Sequence, residues 1–214
     1  MGLDVVMIGL DEIKENVKTD AQVAAMVKWL QENVPASSAA RIGEPAPRLA
    51  EGERVGSYSD LHVLRGLAIR FEREGGDALA GATEDDFAAE AEAYYAEPPA
   101  TRSRFRHLVD HSDCEGVYVP LPLDDPVTVT GQVSLAGAPP EEVNVSIGSS
   151  GALLAELEEL APLVGLAGDR GDLGDAALDN ALSAHPWPTA AYVWAVMHWF
   201  ARESVRESTL IQFC

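Results

Sequence analysis

The spacing of apolar residues predicts a chain made mostly of amphipathic helices. From Val23 to Val34 apolar residues recur at intervals of three and four, and Thr19 can cap the first turn, so we expect a helix over Asp20–Val34. The same period predicts further helices at about 59–74, from Thr83 to before Pro98, from about Thr101 to near Gly116, after Gly151, and at about 189–207. The last of these is apolar nearly all round, so it should lie deep in the core.

Strand-like segments are concentrated in the middle of the chain. V-Y-V, V-T-V-T-G-Q-V-S-L and V-N-V-S-I are rich in β-branched residues and bounded by Pro and Gly, and the opening L-D-V-V-M-I-G-L predicts one more short strand. We find no internal repeat and no alternation of strands with helices. The predicted fold class is therefore α+β: a helix-dominated single globular domain over 1–214, with a small, mainly antiparallel central sheet. Residues 35–56 lack periodicity, which predicts a long surface loop.

Charge narrows the choice of partners. The chain has 35 Asp and Glu against 15 Lys and Arg, a formal net charge of −20, while 47% hydrophobic residues allow a substantial core. Such a field repels phosphates, and the one local basic cluster (Arg102, Arg104 and Arg106) is too short to reverse it, so we expect no nucleic acid partner. An acidic surface can attract a basic protein, or it can serve solubility alone.

Compartment signals are few. The two cysteines, Cys114 and Cys214, do not make a disulfide framework, and the first residues lack the basic region of a secretory signal. The longest apolar run, Ala190–Phe200, is too short to span a bilayer. We expect a cytoplasmic protein that is not associated with a membrane.

Groups that titrate or bind metals are concentrated in the segment H-L-V-D-H-S-D-C-E-G that begins at His107. If the segment is helical, His107 and His111 lie one turn apart, which suits two imidazoles that bind one metal ion. Asp113 is the predicted third ligand, with Asp110, Cys114 and Glu115 as alternatives, and zinc is a suitable metal. The residues between the histidines are Leu-Val-Asp, so the glutamate that acts as general base in H-E-x-x-H helices is missing.

A structural interpretation of the same segment remains open. One histidine can cap the end of the helix, Ser112 and Asp113 can hydrogen-bond the turn, and Gly116 can supply a positive φ. Cys114 is a poor nucleophile between two carboxylates, since neighbouring negative charge raises the pKa of a thiol. A nearby His111 could counter this effect, which leaves a catalytic Cys–His pair as an alternative.

Two short motifs resemble those of a loose group of uncharacterised bacterial and phage-associated proteins. The first is Ser57-Tyr58-Ser59 followed by Arg65, and the second is His111-Ser112-Asp113-Cys114-Glu115-Gly116. The resemblance covers about a third of the chain and implies a shared site without an assigned activity. If both motifs belong to one site, Tyr58, His62 or Arg65 should approach His111, Asp113 and Glu115. An ion pair between Arg65 and a carboxylate would then join the two motifs.

Other candidate sites are weaker. Ser149 and Ser150 follow a predicted strand and open a helix, where free N–H groups can bind an anion, although ordinary capping by serine explains the same pattern. The acidic loop G-D-R-G-D-L-G-D does not have the spacing of a calcium loop. His198, on the last helix, is expected to be a core histidine with a satisfied hydrogen bond.

Two functions fit these observations. The first is a non-enzymatic binding or regulatory protein, for example an immunity-type factor that occupies a basic protein partner and needs no cofactor. The second is a small metal-dependent hydrolase that uses His107, His111 and a nearby carboxylate with a divalent metal such as zinc. Metal content distinguishes them, and the sequence does not predict the oligomeric state.

Overall fold

A six-stranded sheet collects strands from both ends and from the middle of the chain. The structure is a computed structural model, and it describes residues 2–8, 20–33, 53–97, 102–112, 116–133 and 141–213. The strands are β1 (Gly2–Ile8), β2 (Glu53–Ser57), β3 (Gly116–Val119), β4 (Val127–Val133), β5 (Glu141–Ser149) and β6 (Leu210–Phe213). Their order in the sheet is β2-β1-β6-β3-β5-β4, and only β3 and β5 run parallel. The predicted α+β fold with a mainly antiparallel sheet is confirmed.

Helices make up most of the remaining described residues. They are α1 (Asp20–Asn33), α2 (Tyr58–Glu74), α3 (Glu84–Ala96), α4 (Arg106–Val109), α5 (Ser150–Val164), α6 (Arg170–Leu173), α7 (Asp175–Leu182) and α8 (Pro188–Glu207), with a 3-10 helix at Gly76–Leu79. In the described ranges no helix is both long and apolar enough to cross a membrane.

The sheet separates two hydrophobic clusters because side chains alternate along each strand. In β3, Tyr118 faces the larger cluster, which contains most of the buried residues of α2 and α8. Val117 and Val119 face the opposite side, where Met26 and Leu30 of α1 cover the sheet. As predicted, α8 is buried over most of its length, and it lies in the larger cluster.

Two strands differ from the prediction. All of β2 except Ser57 lies within the segment predicted to be a loop at 35–56, and the remainder of that segment falls outside the described residues. β6 was not predicted; it follows α8 directly and pairs with both β1 and β3. All four residues of β6 are buried, so the run shows no alternation of apolar and polar positions that would indicate a strand.

The predicted helix from Thr101 is much shorter than expected. α4 begins at Arg106 and ends at Val109, and its N-cap residue, Phe105, makes no side-chain cap. The carboxylate of Glu156 in α5 instead accepts hydrogen bonds from the N–H groups of His107 and Leu108, at 3.0 and 2.8 Å. A tertiary contact therefore replaces the local cap, and the helix ends before His111.

A capping box accounts for part of the Ser-Tyr-Ser motif. Ser57 is the N-cap of α2: its hydroxyl accepts from the N–H of Asp60 at 3.2 Å, and the Asp60 carboxylate accepts from the N–H of Ser57 at 2.6 Å. At the other end, Gly75 ends the helix with a φ of 80°, which glycine adopts without strain.

The contact between α2 and α3 depends on a residue without a side chain. A Cβ atom at Gly66 would lie 1.7 Å from the carbonyl oxygen of Phe87, so the two helices can approach this closely only at a glycine. Phe87 is fully buried at the same place.

We expect Gly66→Ala to lower the free energy of unfolding by about 1–3 kcal/mol or more, because the added methyl group must push α3 away from α2. Gly151→Ala is the matched control, since a Cβ there meets nothing closer than 3.7 Å in helix α5. It should be neutral or stabilise by up to about 1 kcal/mol. Chemical denaturation of both variants measures the difference, and equal stabilities would contradict the proposed close contact.

Candidate functional site

A cleft between the helices and one edge of the sheet brings the two sequence motifs together. Its volume is about 320 Å³. Helices α2 and α3 provide one wall, the turn after α4 provides the second, and strands β4 and β5 provide the third. The lining residues are His62, Arg65, Tyr95, Val109, Asp110, His111, Ser112, Thr128, Asn144 and Ser146.

Arg65 connects the two motifs directly. Its Nε donates to the carbonyl oxygen of Leu108 at 2.8 Å and its Nη2 donates to the carbonyl oxygen of His111 at 2.7 Å, with only 3% of the residue exposed. The expected approach of Arg65 to His111 is therefore seen, through backbone carbonyls. The expected ion pair with Asp113 or Glu115 involves residues outside the described part of the chain, as does Cys114.

His62 and Tyr58, which with Arg65 were expected near His111, differ in whether they line the cleft. His62 lines the cleft, and its ring lies 5.4 Å from that of Tyr95 in α3. Tyr58 does not line the cleft; it packs against the larger hydrophobic cluster.

His111 occupies a slot formed by aromatic rings and glycines. Its ring stacks on Tyr118 with centroids 3.9 Å apart, and its Nε2 donates to the carbonyl oxygen of Val117 at 3.0 Å. A Cβ at Gly116 would lie 2.0 Å from the imidazole, and one at Gly148 would lie 2.8 Å from it. The structure thus gives the glycine of the His-Ser-Asp-Cys-Glu-Gly motif a steric role: it makes room for the histidine.

His107 uses both ring nitrogens in backbone contacts. Its Nδ1 accepts from the N–H of Ser149 at 3.0 Å and its Nε2 donates to the carbonyl oxygen of Leu123 at 3.1 Å. Burial lowers the pKa of His107 below its usual value, and the neutral imidazole is the form that can accept at one nitrogen and donate at the other. This histidine fastens the start of α5 to the loop before β4.

These contacts do not favour the predicted metal site at His107, His111 and Asp113, of which Asp113 lies outside the described residues. The two histidines do not share a helix, because α4 ends at Val109. Both nitrogens of His107 are engaged, and Nε2 of His111 is directed at a strand carbonyl. Among the described residues no group of three His, Cys, Asp or Glu side chains is placed to hold a metal ion.

The side chains of Ser149 and Ser150, where an anion site was suggested, already form hydrogen bonds within the protein. Ser149 is the N-cap of α5 and its hydroxyl accepts from the N–H of Ala152 at 3.1 Å. The hydroxyl of Ser150 lies 2.6 Å from that of Ser204 in α8. Ser149 and Ser150 are both almost fully buried. The geometry favours the capping interpretation.

Asp169 and His198 form a buried polar contact on the far side of α8. Nδ1 of His198 lies 2.9 Å from Oδ2 of Asp169, whose side chain is fully buried. The same carboxylate caps α6 by accepting from the N–H groups of Gly171 and Asp172, and Arg202 contacts it at 3.0 Å. His198 therefore has the satisfied hydrogen bond expected of a core histidine.

Arginine side chains hold many of the surface carboxylates in place. Arg73 of α2 contacts both Glu90 at 2.5 Å and Glu97 at 3.0 Å, at the end of α3. Arg104 contacts Glu159 of α5, while Glu72 accepts from the hydroxyl of Ser103 and the N–H of Arg104. These bonds run from α3 across the end of α2 to α5.

A second set of carboxylates is exposed and forms no ion pair with any described residue. Apart from Asp86, which caps α3, five of them lie on helices of the layer that includes α3, α5 and α7: Asp77, Asp85, Glu92, Glu158 and Asp179. We call these five residues the helical acidic set. The total charge can be read from the sequence but this set cannot, because the exposed side of each helix depends on what its other side covers.

The fold and the surface define an acidic α+β protein built on one six-stranded sheet. A family model described as "Putative DNA-mimic protein" matches residues 1–213. The chain therefore belongs to this family. Comparison with curated proteins and with solved structures gave no match.

The backbone contacts of His107 predict a single tautomer. We expect nitrogen NMR to show an unprotonated Nδ1 and a protonated Nε2 at neutral pH, since only this form satisfies both hydrogen bonds. Stoichiometric zinc should leave these signals unchanged. A shift of the His107 ring signals on addition of stoichiometric zinc would contradict the structural role.

Glu156 should make stability depend on pH. Burial raises the pKa of Glu156 to about 7, although the two N–H groups that it accepts from oppose the shift. The folded protein therefore binds this proton more tightly than the unfolded chain does. Its stabilising effect is complete below pH 4.5 and is lost as the pH rises to about 7, a change of about 3 kcal/mol.

The test compares unfolding free energies of the wild type and Glu156→Gln below pH 4.5 and above pH 7. The variant should lack the loss that the wild type shows over this interval. Glu158→Gln, an exposed substitution on the same helix, should keep the wild-type difference. An identical pH dependence in all three proteins would show that Glu156 is not the group responsible.

Proposed function

We propose that the protein binds the DNA-binding surface of a basic protein and excludes duplex DNA from it. The observation that carries the proposal is membership of a DNA-mimic family over residues 1–213 in a chain of net charge −20. A surface that binds phosphates through Lys and Arg is also attracted to a dense set of carboxylates. The action would be regulatory, in the manner of an immunity-type factor, and it needs no cofactor.

The helical layer is the surface that best supports this proposal. On α3, Asp85 and Glu92 are exposed and seven residues apart, so they project from the same side of the helix two turns from each other. Half of the residues between them are alanines (Ala88, Ala89 and Ala91), whose short side chains leave the carboxylates prominent. Glu158 on α5 and Asp179 on α7 add exposed carboxylates on two further helices, both of which pack against α8.

Preorganisation is the second argument. A DNA backbone presents its charges at fixed positions, whereas free glutamate side chains lose rotamer entropy when they are bound. Glu90 and Glu97 are held by Arg73, and Glu72 is held by Ser103 and Arg104. These carboxylates are already ordered before a partner arrives, so part of the entropic cost of binding is avoided.

The first experiment identifies the partner and tests competition together. The protein is immobilised, basic proteins are captured from a cell extract, and bound proteins are eluted with duplex DNA at constant ionic strength. A partner of a DNA mimic should be released by DNA, and in solution its DNA binding should be lost when the protein is added. Release by salt but not by DNA would contradict the proposal.

The charge of the helical acidic set should determine affinity. We expect Glu92→Gln/Glu158→Gln to weaken binding to the captured partner by about tenfold, because each surface charge pair contributes about 0.2–1 kcal/mol. The loss should shrink at high salt, since salt screens exposed charges.

The matched control removes two charges elsewhere. Asp124→Asn/Glu142→Gln alters exposed carboxylates in the loop before β4 and at the start of β5. This control should bind with nearly wild-type affinity, as measured by fluorescence anisotropy at two salt concentrations. Equal weakening by both pairs would mean that total charge, and not the helical layer, determines binding.

A further inference from the structure

The two edges of the sheet differ in how they are protected. β4 forms one edge and pairs with β5 in an unbroken register from Val127 opposite Ile147 to Val133 opposite Glu141. Among the described residues no strand lies on its other side. The opposite edge, β2, carries Glu53 and Arg54, and its register with β1 is interrupted by a bulge.

β4 has none of the features that usually prevent association at an edge. Natural edge strands are commonly short, charged, interrupted by proline or distorted by a bulge, because their unpaired N–H and C=O groups can bind another strand. The sequence of β4 is V-T-V-T-G-Q-V, seven residues without charge or proline. Thr128, Thr130 and Gln132 are exposed along it.

The charge of the chain indicates what can bind there. A basic partner is attracted to carboxylates, and β4 offers none. A second copy of this chain carries the same charge of −20 and is repelled by most of the surface. An uncharged strand is where two copies can meet without placing one carboxylate opposite another.

We propose that two copies of the protein associate through β4, antiparallel to each other about a twofold axis near Thr130. The same strand serves on both sides, as a closed symmetric dimer requires. In an antiparallel pair this axis is perpendicular to the sheet, so both copies turn the same face of the sheet to the same side. The helical layers then lie side by side, and the dimer presents two helical acidic sets in one direction.

The dimer and the binding of a basic partner respond oppositely to salt. Association of two like-charged copies strengthens as salt screens their repulsion, whereas attraction between opposite charges weakens. The dimer does not depend on the proposed function, so a monomeric protein that still competes with DNA would overturn the dimer alone.

The experiment measures molar mass by light scattering and sedimentation over a range of protein and salt concentrations. The wild type should approach the mass of two chains at high concentration, with a dissociation constant that falls as salt is added. Thr130→Glu places two carboxylates near the axis and should weaken the dimer at least tenfold. Thr130→Gln introduces a side chain of the same size as glutamate but without its charge, and this variant should remain dimeric.

Two controls test whether the edge strand itself forms the contact. Asn180→Glu adds the same charge to an exposed position on α7 and should leave the dimer unchanged. Amide hydrogen exchange of 127–133 should slow as protein concentration rises. A wild type with the mass of one chain at every concentration overturns the proposal, and so does a dimer that persists in a folded Thr130→Glu variant. If the amides of β4 are protected equally at all protein concentrations, another segment of the same chain covers this edge. That result also overturns the proposed dimer.

Discussion

The buried guanidinium of Arg65 is the contact on which the rest of the site depends. It lies on α2 and donates to the carbonyl oxygens of Leu108, in α4, and of His111, in the turn that follows. Arginine suits this position because its planar fork can donate in two directions at once. This contact fixes the turn after α4 against α2, and this turn delivers His111 to its place between Tyr118 and the carbonyl oxygen of Val117.

The titratable residues that seemed best suited to catalysis or metal binding hold the fold together where the structure describes them. His107 joins three segments through backbone hydrogen bonds, and His111 fills a slot beside Tyr118. Glu156 replaces the missing cap of α4. Buried polar groups of this kind are costly unless they are satisfied, so such residues can form a dense motif without performing catalysis. The exposed carboxylates of the surface are therefore the better candidates for function.

The proposed function and the proposed dimer both follow from how negative charge is distributed over the surface. A net charge of −20 keeps copies apart and attracts a basic surface, while an uncharged edge strand leaves one place for self-association. Arg73 orders both Glu90 and Glu97 but offsets only one of their two negative charges. The two surfaces lie on different elements, the helices and the edge of the sheet, so each can be altered by itself.

The sequence by itself determined the fold class, most helices and strands β1 and β3–β5, because periodicity and capping residues such as Thr83 act over a few neighbours. It also determined the total charge. Only the tertiary structure decided that α4 stops at Val109, that β6 joins the sheet, and that His107 bonds to Ser149 and Leu123. Each of these depends on a partner far away in the chain, and hydrogen bonds and steric contacts at such a distance leave no local pattern in the sequence.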